Sequence, residues 1–156
     1  MYSYGKKSRR LLESAHPDLK LIMNESIKFI DISIIDSLRT DARQLELYNK
    51  GRSTINGIDK KSNHQGKVIL INNVETLVSF ALDIIPYKKG LDPFGNTPKN
   101  LARYYFMMGI IDAVALRLLE EGKIKSKVRF GLDWDGDRNF EDQNFDDLPH
   151  LEIIPI

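Results

Sequence analysis

Three side chains of types that bind catalytic metals stand far apart in the sequence: His64, Asp83 and His150. Asp83 lies inside the apolar run 80–85, where a carboxylate is costly to bury unless a cation, an arginine or a helix N-terminus compensates it. Two imidazoles and one carboxylate fill three positions around a tetrahedral zinc ion and leave the fourth for water. Taken one at a time, each of the three residues has an equally good structural explanation.

A hydrolytic metal site also needs a base that takes a proton from water and returns it to the leaving group. Asp147 stands three residues before His150 and can reach over the metal from the same turn. The third histidine, His16, precedes Pro17 at a predicted helix start, where we expect an exposed or capping residue. The chain has no cysteine, which excludes disulfides, thiolate ligands and a thiol nucleophile.

Hydrophobic periodicity predicts the elements that must position these side chains. The predicted helices span 8–15, 17–30 and 99–121, and a further helix capped by Thr40 ends at Gly51. The predicted strands span 31–38, 68–71, 80–85, 128–132 and 151–156, whereas 74–79 fits a strand or a helix. The predicted buried stripe of helix 99–121 is Leu101, Tyr105, Ile110, Ala113, Leu116 and Leu119. Helices come first and strands gather later, which predicts one α+β domain over residues 1–156.

The charges are nearly balanced, with 23 basic and 22 acidic side chains and a formal net charge of +1. This balance argues against nucleic-acid binding. A basic cluster near the start, Lys6, Lys7, Arg9 and Arg10, is either a solvated terminus or a group attracted to an anionic envelope surface. No apolar segment follows this cluster, so we expect no secretory signal. The apolar stretches are shorter than the roughly 20 residues of a membrane span, so we expect no stable membrane insertion.

Three segments, in this order, resemble the motifs of one enzyme family. They are Ser62-Asn63-His64, Ser79-Phe80-Ala81-Leu82-Asp83 and Asp147-Leu148-Pro149-His150-Leu151-Glu152. The family is that of the zinc D-alanyl-D-alanine carboxypeptidases and dipeptidases, which includes phage L-alanyl-D-glutamate endopeptidases. Segments 12–19, 38–53 and 131–134 also resemble it, so the likeness covers nearly the whole chain. It implies a fold like that of DD-peptidases and Hedgehog domains, a small antiparallel sheet with helices packed on one side.

The resemblance implies one catalytic zinc ion on His64, Asp83 and His150, with Asp147 as the general base. Arg39 corresponds to the family's arginine that binds substrate or stabilises the oxyanion of the intermediate. The alternative for Arg39 is a surface arginine at the junction of a strand and a helix.

Two further residues receive supporting roles from the same resemblance. Ser62 supports the substrate or a ligand, and Glu152 orients a ligand from its strand rather than binding the metal itself. Trp134 lines the substrate groove or belongs to the core.

The chain departs from the family pattern between the first two motifs. His64 and Asp83 are nineteen residues apart, whereas the family has them a few residues apart, so residues 67–78 look like an insertion. Ser79 replaces a glycine, and Leu151 replaces an aromatic residue. An insertion that forms its own hairpin would leave both ligands in place, because surface insertions cost little free energy.

Asp133, Asp135 and Asp137 alternate like part of a calcium-binding loop, although the glycine comes one place too early. Either a solvated acidic loop or a Ca²⁺ site fits this spacing, and the solvated loop is favoured.

The resemblance favours a phage endolysin that hydrolyses the L-alanyl-D-glutamate bond of peptidoglycan. It would be made in the host cytoplasm and would reach the cell wall after the membrane is breached. The alternatives are cleavage of D-alanyl-D-alanine and a non-catalytic wall-binding domain. We expect a monomer whose partner is peptidoglycan.

Overall fold

The computed structural model describes residues 1–94, 97–142 and 144–156. Its helices are α1 (Lys6–Glu13), α2 (Pro17–Ser26), α3 (Asp41–Asn49) and α4 (Pro98–Glu120), and a single 3-10 turn spans Asn63–Gln65. Its strands are β1 (Ile32–Asp36), β2 (Lys67–Ile71), β3 (Val74–Val78), β4 (Ala81–Pro86), β5 (Ser126–Phe130) and β6 (His150–Pro155). The predicted strands are confirmed to within a few residues, and 74–78 is a strand rather than a helix.

Four strands form an antiparallel sheet in the order β1-β4-β6-β5. In the central pair, Asp83 lies opposite His150 and Ala81 lies opposite Glu152. Since side chains alternate between the two faces of a strand, this register places Asp83, His150 and Glu152 on the same face.

The opposite face of the sheet is apolar and forms the core. Leu82, Ile84, Leu151 and Ile153 have almost no solvent exposure. They pack with buried side chains of two helices. These are Leu19, Ile22 and Met23 of α2 and Tyr104, Met107 and Ile111 of α4. Helices α2 and α4 thus cover this face, which leaves the polar residues of the other face free to build a site. The predicted α+β class with helices on one side is confirmed.

The predicted buried stripe of α4 was wrong for most of its residues, although Tyr105 and Leu119 are partly buried and pack against the core. Its buried residues are Asn100, Tyr104, Met107, Met108, Ile111, Val114, Ala115 and Leu118. Leu101 and Leu116 are 39% and 41% exposed. Apolar residues occur on more than one side of this helix, so periodicity alone allowed several stripes. Packing against α2, β4 and β5 selects the one that is buried.

The segment predicted to be an insertion forms a separate two-stranded hairpin, β2–β3. Asn72 and Asn73 form its turn with φ of 51° and 64°, values that asparagine tolerates better than most residues. At the base, the backbone N–H of Phe80 donates to the carbonyl oxygen of Asn63 at 3.0 Å. Gly66, with φ of 72°, approaches Val78 so closely that a Cβ atom would lie 2.5 Å from the Val78 carbonyl oxygen.

None of the helices in the described part of the chain combines the length and the apolar character needed to cross a bilayer.

Candidate metal centre

His64, Asp83 and His150 come from three different elements and meet on the polar face of the sheet. His64 lies in the 3-10 turn, Asp83 in β4 and His150 at the start of β6. One ligand atom from each lies within 4.8 Å of the other two. Both histidines are buried, and the Asp83 side chain is 17% exposed.

The orientation of the His64 ring is determined by a carbonyl group. Its Nδ1 lies 2.8 Å from the carbonyl oxygen of Ser37. Because a carbonyl oxygen can only accept, Nδ1 carries the hydrogen. In the neutral ring, the lone pair is therefore on Nε2, which lies 3.1 Å from Asp83 Oδ1.

His150 is oriented by a carboxylate instead, through its other nitrogen. Its Nε2 lies 3.0 Å from Glu152 Oε2, and its Nδ1 lies 3.5 Å from Asp83 Oδ1. With Nε2 donating to Glu152, the lone pair of the neutral ring is on Nδ1. Both rings thus direct a lone pair at the same carboxylate oxygen. An arrangement of three electron-pair donors is stable only if a proton or a cation lies among them.

The pKa shifts in the cluster also indicate a site for a cation. Burial alone lowers the pKa of His150, but hydrogen bonds and charge attraction from Asp83 and Glu152 outweigh it and raise the pKa to about 9. Burial alone raises the pKa of Asp83, but the two histidines and Arg39 hold it well below its usual range. The metal-free cluster therefore holds a proton where a cation would bind. A donor set of two nitrogens and one oxygen could hold a metal ion and is compatible with zinc.

Glu152 is buried and hydrogen-bonded through both oxygens. Its Oε2 accepts from His150 and from Asn63 Nδ2 at 2.8 Å. Its Oε1 accepts from Arg129, with Nε at 2.6 Å and a second contact from Nη2. Burial alone raises the pKa of Glu152, but the contacts with His150, Asn63 and Arg129 lower it to about 2. Glu152 therefore stays ionised and keeps the hydrogen on His150 Nε2.

Arg39 contacts the other oxygen of Asp83. Its Nη2 donates to Asp83 Oδ2 at 2.5 Å, its Nε to Asp36 Oδ2 at 2.8 Å and its Nη1 to Gln44 Oε1 at 3.3 Å. Asp36 and Asp83 lie opposite each other on β1 and β4. The guanidinium group of Arg39 therefore offsets the negative charges of two adjacent carboxylates. The Arg39 side chain is only 11% exposed.

Ser62 holds the turn that presents His64. Its hydroxyl oxygen accepts from the backbone N–H of His64 at 3.3 Å, and its own N–H donates to Gln65 Oε1 at 2.9 Å. This reciprocal pair is a capping box, which satisfies backbone donors at the start of a turn of helix.

Asp147 lies beside the cluster, held by the backbone. Its N–H donates to the Gly131 carbonyl oxygen at 2.8 Å, and its carbonyl oxygen accepts from the His150 N–H at 2.9 Å. A Cβ atom at Gly131 would lie 2.3 Å from the Asp147 carbonyl oxygen, so this approach requires glycine. Burial and the nearby negative charge of Asp83 raise the pKa of Asp147, which makes its carboxylate a stronger base.

Two surfaces border the site. The Trp134 ring lies 5.2 Å from the His150 ring, and its Nε1 donates to the Phe145 carbonyl oxygen at 2.9 Å. On the other side, a cleft of about 480 Å³ extends from Asp147 along Leu148 and Tyr104.

Asp133, Asp135 and Asp137 also lie within 4.8 Å of one another. However, both carboxylate oxygens of Asp133 already accept backbone hydrogens, Oδ1 from Gly136 at 2.9 Å and Oδ2 from Arg138 at 3.2 Å. Asp135 and Asp137 are exposed. The segment has the contacts of a hydrogen-bonded turn, and the Ca²⁺ site remains a prediction.

His16 is a capping residue, as predicted. Its Nδ1 accepts from the Asp18 N–H at the start of α2, and its ring packs 4.8 Å from that of Phe80.

Sequence reasoning missed three residues that hold the cluster in place: Ser37, Asn63 and Arg129. A signal existed for Arg129, because it alternates with apolar residues along β5 and so belongs to the polar face. No comparable signal marks Ser37, which contributes only its carbonyl oxygen.

In this site, two histidines and an aspartate direct their lone pairs at one point, and a further carboxylate lies beside them. This arrangement is that of a candidate metal-dependent hydrolase. The comparisons with known proteins name the family. The chain belongs to the phage L-alanyl-D-glutamate peptidase family, whose model matches residues 1–154.

The fold is similar to that in a crystal structure of the L-Ala D-Glu endopeptidase ChiX of Serratia marcescens, with a TM-score of 0.59. That likeness covers 97% of this chain and 90% of the other, at 21% sequence identity. No curated protein matches the chain.

Proposed function

We propose that this protein is a zinc peptidase that hydrolyses the L-alanyl-D-glutamate bond in the stem peptide of peptidoglycan. The family supports the bond, and one observation supports the metal. That observation is the convergence of His64 Nε2, His150 Nδ1 and Asp83 Oδ1 on one point, with the other nitrogen of each ring already engaged.

His64, Asp83 and His150 would hold the zinc ion, which when bound lowers the pKa of a water molecule and polarises the substrate carbonyl. Arg39 would keep Asp83 Oδ2 occupied so that Oδ1 faces the imidazoles. The role at the substrate that the sequence predicted for Arg39 stays a prediction. Glu152 would hold His150 in the tautomer that directs Nδ1 at the site.

Asp147 would act as the general base. Its carboxylate takes a proton from the attacking water as the oxygen bonds to the carbonyl carbon. When the carbon–nitrogen bond breaks, the same group returns the proton to the departing amine of D-glutamate. The raised pKa of Asp147 favours the first of these transfers, because it makes the carboxylate a stronger base. Trp134 and the cleft beside Asp147 would border the bound peptide.

We further propose that the enzyme acts in host cell lysis and reaches the cell wall once the inner membrane is breached. The family supports this role. The monomeric state stays a prediction, as does the extent of the domain over the whole chain.

The test is mass spectrometry of the products released from purified peptidoglycan, before and after a chelator and after zinc is restored. Zinc-dependent release of peptides that begin with D-glutamate is the expected result. Release of D-alanine alone would show that the enzyme instead hydrolyses the D-alanyl-D-alanine bond. No product under any metal condition would support the non-catalytic wall-binding alternative.

A further inference from the structure

Helix α1 lies along the outer edge of the sheet, against β1. The Ser8 hydroxyl accepts from the backbone N–H of Ile34 at 3.0 Å and donates to its carbonyl oxygen at 3.3 Å. Leu12, one turn further on, is buried in the core. These contacts orient the helix, because the side opposite Ser8 and Leu12 must face solvent.

Four cations occupy the solvent-facing side of this helix: Lys6, Lys7, Arg9 and Arg10. All four are exposed. Within residues 1–94, 97–142 and 144–156, none of them forms an ion pair. The one acid on the same helix, Glu13, is paired with Lys20 at 3.4 Å. The basic face of α1, defined by these four residues, therefore has no ion-pair partner in the part of the chain that the structure describes.

The rest of the molecule has the opposite net charge. The chain has 23 basic and 22 acidic residues, so removing these four cations leaves 19 basic against 22 acidic. Seven acids and one base lie in segment 133–147. That segment joins β5, at the far edge of the sheet, to β6. Four strands at about 4.8 Å spacing put the two edges roughly 14 Å apart. Positive charge thus gathers at one edge and negative charge at the other.

A cleft of about 300 Å³ adjoins the basic face. Arg9 contributes an unpaired cation to its lining, Lys20 and Glu13 contribute an ion pair, and Tyr2, Ser3 and Asn24 contribute hydroxyl and amide groups. Beside it, Met1 and Tyr2 are 106% and 49% exposed. Four cations next to a polar cleft and exposed apolar side chains match the chemistry of a phospholipid surface, where phosphates lie next to hydrocarbon.

We propose that the basic face of α1, with its cleft, docks the protein on bilayers that contain anionic phospholipids. A cluster of four Lys and Arg residues is at the lower end of the roughly four to eight that are typical of such binding, so binding is weak and sensitive to salt. Duplex DNA is the less fitting partner, because the cations cover only the two turns of an eight-residue helix and apolar groups lie beside them. The charge asymmetry would turn the acidic segment away from the membrane.

The experiment is co-sedimentation of the full chain with vesicles of phosphatidylcholine containing about a quarter phosphatidylglycerol, at about 50 mM salt. The test variant carries Lys6→Gln, Lys7→Gln, Arg9→Gln and Arg10→Gln, substitutions that keep a high helix propensity. The matched control carries Lys60→Gln, Lys88→Gln, Lys89→Gln and Lys99→Gln, which remove four exposed cations that also lack ion pairs among the described residues. Both variants have the same net charge.

Wild type and control should bind the anionic vesicles within about twofold of each other, and the α1 variant should bind at least about tenfold more weakly. Pure phosphatidylcholine should bind none of the three. Equal weakening in both variants would overturn the proposal, because net charge alone would then explain binding. So would an absence of wild-type binding at low salt, or equally tight binding to duplex DNA. Circular dichroism of both variants tests that each remains folded.

Discussion

Two clusters of three metal-capable side chains occur in the described residues, and they are built in different ways. The histidine–aspartate cluster, His64, Asp83 and His150, is mostly buried, whereas the aspartate cluster, Asp133, Asp135 and Asp137, is mostly exposed. In both clusters the ligand atoms lie within 4.8 Å of one another. Proximity alone therefore does not distinguish a metal site from a turn.

What distinguishes the clusters is where the remaining polar atoms point. In the histidine–aspartate cluster, Ser37, Glu152 and Arg39 bind the outer atoms and leave the inner lone pairs facing one another. In the aspartate cluster, the carboxylate oxygens of Asp133 are used by backbone N–H groups of its own turn. A site is prepared for a cation when its partners engage every atom except those that bind it.

The largest effect should come from removing a ligand of the histidine–aspartate cluster. Asp83→Asn and His150→Ala should each abolish stoichiometric zinc binding. They should lower kcat/KM by far more than the roughly 10- to 100-fold expected from losing an outer hydrogen-bond partner. Inductively coupled plasma mass spectrometry and a peptidoglycan turbidity assay check this. Full zinc content in either variant would show that the substituted residue is not a metal ligand, and the contrast between the two clusters would fail.

Asp147→Asn should separate chemistry from metal binding. The amide cannot accept a proton, so kcat should fall by about 10²- to 10⁴-fold, whereas zinc content should stay at the wild-type level. Steady-state kinetics alongside metal analysis checks both parts. An active Asp147→Asn enzyme would exclude this residue as the base and would favour a different proton acceptor.

Glu152→Gln should weaken zinc binding by about 10- to 100-fold without removing it, because His150 loses the carboxylate that holds its tautomer. Glu75→Gln, on the exposed β2–β3 hairpin, is the matched control and should leave the zinc affinity unchanged. Competition with a chromophoric chelator measures both. Equal affinities in the two variants would show that the carboxylate at 152 is not needed.

The pH dependence of the metal-free protein should report the proton held by His150. Its folded pKa of about 9 lies above the usual 6.5, so its contribution to stability is complete below about pH 6.5. That contribution is lost as pH rises towards 9, by at most about 3 kcal/mol. Zinc binding releases this proton, so the Tm difference between the zinc-bound and metal-free protein should grow over the same range.

Differential scanning fluorimetry at a series of pH values, with and without zinc, makes the measurement. The His150→Asn variant should show a flatter metal-free profile. A Tm difference that shrinks between pH 6.5 and 9 would have the wrong sign for this explanation.

The smallest effect should come from the aspartate cluster. Asp135→Asn combined with Asp137→Asn should change the free energy of unfolding by no more than about 0.5 kcal/mol, as expected for exposed positions. Peptidoglycan hydrolysis and zinc content should be unaffected, and Ca²⁺ at about 1 mM should not shift the Tm. A clear Ca²⁺-dependent rise in Tm that the double variant abolishes would instead establish a calcium site.

The sequence predicted the candidate site better than the details of packing. Motif order and the carboxylate in an apolar strand were enough to select Asp83 and both histidines, and the structure brings these residues together. The orientation of the His64 ring was beyond prediction, because the Ser37 carbonyl, 27 residues away in sequence, reaches it only after distant segments fold. Glu152, in contrast, is two residues from His150 on the same strand, and the sequence predicted that it orients a ligand. In α4 the apolar residues surround the helix, so the buried stripe depended on contacts that the sequence does not encode locally.

The hydrogen bond between Asn63 and Phe80 has a consequence for engineering. It closes the base of the β2–β3 hairpin, so the distance between the two motifs is set at the base and not by the length of the segment in between. Val78 is buried in the core, and Ile69 and Ile71 pack against it, so these positions must be kept. The exposed residues around the turn, 72–75, can be exchanged. A shorter turn, or a grafted module that recognises a different cell wall, can replace the hairpin tip while the spacing of His64 and Asp83 is preserved.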